Sequence, residues 1–100
     1  MRVENMTSAR TGRSVPNQFI ITDKGCGANG NFLRKEVFQS YQTIIAIVTT
    51  WPDGTKRTEL DHNWNCSTTT SKYRNQFLGE TTKETKKKIK SGEYILADLN

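Results

Sequence analysis

The chain has two cysteines, two prolines and one histidine, and no apolar run longer than the five residues 44–48. Each shortage excludes something. Five apolar residues fall far short of the roughly 20 that cross a bilayer as a helix, so no transmembrane segment is expected. Cys26 and Cys66 form no CxxC pair; the pattern is neither a disulfide framework nor a zinc site, and both read as free thiols. Residues 1–12 carry Arg2 and Arg10 with no apolar stretch behind them, so no secretory signal is expected and the protein reads as cytoplasmic. With 100 residues, the chain has no room for a dinucleotide fold, a barrel enzyme or two domains around a cleft.

What is present is β-rich first and helical later. Residues 1–14 are polar and aperiodic and read as a flexible lead to a single small domain over 15–100. After Pro16, the β-branched and aromatic run at 17–22 suits a strand. Three glycines and two asparagines within 25–31 make a turn or flexible loop. Residues 32–41 and 43–50 follow as the second and third strands, the latter central. In Trp51-Pro52-Asp53-Gly54-Thr55, Pro52 presets one turn angle and Gly54 is free to take positive φ, so a hairpin closes there. Its returning strand, 56–61, sets Lys56, Thr58 and Leu60 on one face and Arg57, Glu59 and Asp61 on the other, and is expected at a sheet edge.

Past Trp64, Ser67 to Thr70 offer capping oxygens for a helix over 71–78, with Tyr73 and Phe77 one turn apart and Gly79 as its stop. Thr81-Thr82-Lys83-Glu84 fits a capping box, so a second helix runs to about Ser91 and Gly92, before a short strand at 94–99. That helix has essentially Ile89, with Thr85, to turn inward, and lies on the surface. The fold class is α+β: a small antiparallel sheet of four or five strands, one helix packed on it through Tyr73, Phe77 and Leu78, and one exposed basic helix. Asn-Gln-Phe occurs at 17–19 and again at 75–77; these amides are candidates to tie the first strand to the first helix.

Chemistry follows the charge. The formal charge is +5, and residues 67–92, with seven basic residues against Glu80 and Glu84, account for all of it. Candidate binding residues are Lys72, Tyr73, Arg74, Lys83, Lys86, Lys87 and Lys90, with Trp64. Two helices bearing lysines suit a phosphate backbone, with Tyr73 or Trp64 stacking on a base; the plainer reading is a solvated face that keeps the protein soluble.

Catalytic readings fail on context. The formal GxGxxG at 25–30 leads into a strand, which leaves a pyrophosphate no helix N-terminus. His62 and Cys66 meet only on a helix, whereas Asn63, Asn65 and the Ser/Thr cluster favour a turn with a half-buried cysteine. Glu59 and Asp61 read as an exposed charged strand face beside Arg57. No catalytic residue, metal or cofactor is expected, and the chain reads as non-enzymatic.

Ser14-Val15-Pro16-Asn17-Gln18-Phe19-Ile20-Ile21, Phe38-Gln39-Ser40-Tyr41 leading into Ile44-Ile45-Ala46, the run from Thr69 to Glu80, and Ile89-Lys90-Ser91-Gly92-Glu93-Tyr94 together resemble a family of small uncharacterised proteins of bacteriophages and bacterial mobile elements. The likeness covers about residues 7–100. Asn65, Cys66 and Thr68 stand where the family pattern has an aspartate, an aromatic and an arginine. The resemblance implies a phage or mobile-element origin, a single compact domain and no known cofactor. With the absence of a catalytic constellation, it points to a binder that inhibits or redirects a host protein or nucleoprotein complex, for example a defence system such as CRISPR. The alternative is direct nucleic-acid binding through 67–92. No membrane partner is expected, and the chain is a monomer or a homodimer in the host cytoplasm.

Overall fold

A computed structural model describes residues 1–25 and 32–100; Cys26 and most of the glycine-rich stretch lie outside the described residues. Six strands form one sheet in sequence order: β1 (Arg2–Thr7), β2 (Ser14–Lys24), β3 (Arg34–Ser40), β4 (Thr43–Thr50), β5 (Lys56–Asp61) and β6 (Tyr94–Ala97). Helices α1 (Thr68–Leu78) and α2 (Thr82–Ser91) lie between β5 and β6. From β1 to β5 each neighbour is antiparallel, whereas β6 runs parallel to β5. The two helices make the crossover that a parallel neighbour needs. The class is α+β, with six strands rather than four or five.

Two expectations change. The polar lead contains β1, paired with β2 from Arg2 opposite Thr22 to Thr7 opposite Ser14, and its Met6 enters the core at 3% exposure. An edge strand with one inward side chain carries almost no periodicity, which is why the composition read as unstructured. The 56–61 strand is internal, because β6 adds alongside it; a partner delivered by two helices leaves no local signal.

Register defines the layers. Ile20, Phe38, Ala46, Leu60 and Leu96 are paired in one row across β2 to β6, and Phe38, Ala46 and Leu60 are fully buried under the helices. Tyr73 joins this core, with Phe77 and Leu78 packed against it; the Phe77 ring stacks on Phe38 at 5.8 Å. A bulge leaves Ile45 unpaired between Gln39 opposite Ile44 and Phe38 opposite Ala46. It lets two consecutive side chains, Ile45 and Ala46, both be buried. A wider irregularity leaves residues 15–18 of β2 unpaired with β1, while Gln18 stays paired with Ser40 of β3, and accommodates Pro16, which cannot donate to a ladder. Asn17 takes φ 66° there, a conformation Asn tolerates, and the Asn5 side chain donates to the Val15 carbonyl at 3.0 Å. Among the described residues the opposite sheet face carries no helix.

Met6→Ala is expected to cost about 2 kcal/mol or more in urea unfolding, whereas a flexible lead would leave stability within about 0.5 kcal/mol.

Candidate binding site on the helical layer

Both helices begin and end on local signals. The Ser67 side chain accepts from the Thr70 amide as N-cap of α1, and Thr81 forms a reciprocal capping box with Glu84 at α2. Gly79 and Gly92 close the two helices in the left-handed conformation, at φ 70° and 86°, where a side chain would be strained.

Lys83, Lys86, Lys87 and Lys90 stand at i, i+3, i+4 and i+7 of α2, one stripe about 10 Å long, and all four are exposed. None makes an ion pair among the described residues. The inward stripe is Thr82, Thr85, Lys88 and Ile89, with Thr85 fully buried. Lys72 is exposed on α1, its ammonium 5.5 Å from the Tyr73 ring centroid.

The other three candidates turn inward. Tyr73 is in the core. Arg74 is 0% exposed: Nη1 donates to the Trp64 carbonyl at 2.6 Å and Nη2 to Thr82 Oγ1 at 2.8 Å and Asn75 Oδ1 at 3.0 Å. Its guanidinium also lies 4.7 Å from the half-buried Trp64 ring, so one face of that ring is taken. Arginine signals "binding" in sequence because it is long and cationic, but here the planar fork joins loop, α1 and α2. Burial lowers its pKa, opposed by the nearby Glu80 carboxylate.

A functional group that the sequence reading missed holds α2 in place. The Glu80 carboxylate, its side chain 4% exposed, accepts from Tyr94 Oη at 2.5 Å, Thr85 Oγ1 at 2.6 Å and Lys88 Nζ at 2.9 Å. Lys88 is thereby withdrawn from the basic stripe. Burial pushes the Glu80 pKa up, but these donors outweigh it and the net shift is downward. Burial, then the neighbouring carboxylate, pushes Tyr94 up to about 12. The spacing from Glu80 to Lys88 exceeds the helical i, i+4 rule, so only the fold reveals this cluster.

Two acidic and thiol readings are also settled by geometry. Glu59 pairs with Arg57 at 3.3 Å, but Asp61 is buried, its oxygens accepting from the Leu99 and Asn63 amides at 2.9 and 3.0 Å. Cys66 is exposed, not half-buried, and the stretch from His62 to Cys66 is turn and bend rather than helix. The expected amide tie between the 17–22 strand and α1 is not made among the described residues; Gln76 instead donates to the Thr7 carbonyl of β1 at 2.8 Å. Gln18 is instead fully buried, its amide without a hydrogen-bond partner among the described residues.

Fold and surface define a two-layer α+β protein with a basic outer helix. The chain matches the profile of a family of unknown function, DUF8033, over residues 1–93, and it belongs to that family. Comparison with curated proteins found no match. Comparison with solved structures found none either. No helix among the described residues is long and apolar enough to cross a membrane.

Arg74→Lys cannot reach Trp64 and Thr82 together and is expected to cost about 2–4 kcal/mol, with Trp64 emission shifted to the red in a Trp51→Phe background. A change within about 0.5 kcal/mol would show that the guanidinium does not organise this layer.

Glu80 and Tyr94 set two pH limits. An acid with a lowered folded pKa adds stability above its ordinary 4.5 that is lost as pH falls through the folded value. Tyr94 adds stability that is present below its ordinary 10 and lost as pH rises toward about 12. Denaturation midpoints against pH are expected to flatten on the acid limb in Glu80→Gln and on the alkaline limb in Tyr94→Phe.

Proposed function

We propose that the chain is a non-enzymatic, phage-type binding protein that inhibits or redirects a host protein or nucleoprotein complex in the host cytoplasm, engaging it through the outer face of α2. The observation that carries this reading is the stripe of four exposed lysines that form no ion pair among the described residues. Like charges at i, i+3 and i+4 repel, so an external acidic surface relieves them and gains steering and specificity. The sequence resemblance supports a phage or mobile-element origin, and an anti-defence role such as CRISPR inhibition follows from that origin.

The same stripe supports a second reading, direct nucleic-acid binding, in which the lysines neutralise phosphates. Arg74 and Tyr73 then act behind the surface, and Trp64 offers at most one ring face for stacking.

Affinity capture from host lysate, with and without nuclease, separates the two. A discrete protein that survives nuclease supports the inhibitor reading, and salt-sensitive nucleic acid with only nuclease-labile proteins supports the other. Lys83→Glu/Lys86→Glu/Lys87→Glu/Lys90→Glu is expected to abolish either capture without unfolding the chain. For nucleic acid, each lysine lost lowers the slope of log affinity against log salt by about one. Intact capture by the quadruple variant would remove α2 as the site.

A further inference from the structure

The two edges of the sheet differ. At β1 the exposed side chains of Arg2 and Glu4 form an ion pair, and the ladder to β2 shifts between Asn5 and Thr7; charge and irregularity of this kind discourage a further strand. β6, Tyr94-Ile95-Leu96-Ala97, carries no charge and no proline. Among the described residues its backbone bonds β5 alone, so the N–H and C=O groups of alternate residues point outward, unpaired. Ile95 and Leu96 stand on opposite faces of this edge, 46% and 40% exposed.

Helix α2 turns the edge into a groove. α1 lies over β3 and α2 over β6, and the two helices meet through Arg74 and Thr82 at 2.8 Å. Glu84, Lys87 and Ser91, at i, i+3 and i+7, stand on the flank of α2 away from Thr82, which is therefore the flank beside the open edge of β6. With Lys88, and with Glu93 at the entry to β6, they line a cavity of about 520 Å³. Building on the protein-binding reading above, we propose that this groove takes an extended segment of the partner protein, which adds to β6 as a further strand.

The chemistry of the groove selects the segment. An extended chain is what offers donors and acceptors in step with an open strand edge. Its side chains alternate between the two faces, so apolar residues suit the positions that pass Ile95 on one side and Leu96 on the other. Within the cavity, Glu84 accepts from the Thr81 amide at 3.2 Å, and Lys88 lies 2.9 Å from Glu80 and 3.8 Å from Glu93. Lys87 forms no ion pair among the described residues, so an acidic side chain of the segment complements it. Lys87 also belongs to the outer lysine stripe, which joins the groove to the docking face of α2. A second copy in this place would set another lysine-rich α2 beside the first, and two chains of formal charge +5 repel.

Selection of a displayed library of randomised peptides of about ten residues against the full chain tests this. The expected result is enrichment of peptides with apolar residues at alternate positions and an acidic residue. Their binding is expected to slow amide hydrogen exchange within 94–97, and to weaken at least about tenfold in Lys87→Glu and in Ile95→Lys/Leu96→Lys, which puts charge on the edge. The exchange measurement uses the unaltered chain, so it decides the matter even if the edge variant misfolds. The absence of any enriched peptide overturns the proposal, as does a peptide that protects another element or binds the edge variant as tightly as the unaltered chain. A mass of two chains with the 94–97 amides already slow assigns the edge to a second copy and overturns it too. Lysate capture of a host protein that is lost in the quadruple lysine variant but unchanged in Ile95→Lys/Leu96→Lys keeps the protein-binding reading and overturns this one, whereas capture of nucleic acid alone overturns both.

Discussion

A fully buried guanidinium that forms no ion pair among the described residues, Arg74, is the constraint on which the helical layer depends. Removing that charge from water is costly unless several oriented acceptors replace the hydration it loses. The acceptors come from three places: the Trp64 carbonyl in the loop after β5, Asn75 on α1, and Thr82 at the first residue of α2. Engaging the two terminal nitrogens of one guanidinium therefore brings three segments together, while its Nε has no hydrogen-bond partner among the described residues. The Trp64 ring adds a π face on the remaining side.

Glu80 supplies the matching constraint from the opposite sign. Its carboxylate sits in the link between α1 and α2 and is filled by Thr85, Lys88 and Tyr94, so it fixes both the rotation of α2 and its distance from β6. A helix with a single large apolar residue, Ile89, gains little from hydrophobic docking. Polar anchoring at its first turn and along its inner stripe takes that role. The consequence for function is direct: once Thr82, Thr85, Lys88 and Ile89 face inward, Lys83, Lys86, Lys87 and Lys90 have nowhere to point but out.

The sheet divides the molecule into two surfaces of different character. On the helical side Phe38, Ala46 and Leu60 are covered by Tyr73, Phe77 and Leu78, and the outer face of α2 carries four exposed lysines. The far side carries the row Val3, Ile21, Val37, Ile47, Glu59 and Ile95 with Asp23, Lys35, Thr49 and Arg57 beside it.

Much of the local structure was legible in the residues. The β4–β5 turn, the α1 cap, the capping box at Thr81 and both glycine stops are set by interactions within a few positions, so Pro, Gly, Ser, Thr and Glu reveal them directly. The packing of Tyr73, Phe77 and Leu78 also follows, because helical spacing sets them on one face. The lysine-rich character of α2 was visible from composition alone. By contrast, β1, the internal place of β5, the burial of Arg74 and Asp61, and the Glu80 cluster were decided by the tertiary structure. Each depends on groups from distant segments meeting, and the free energy of burying a charge is set by the acceptors around it rather than by its own identity. For that reason the same residue types read alike as binding candidates, and only the fold divides the cations into Arg74 and Lys88, which hold the protein together, and the four lysines left facing outward.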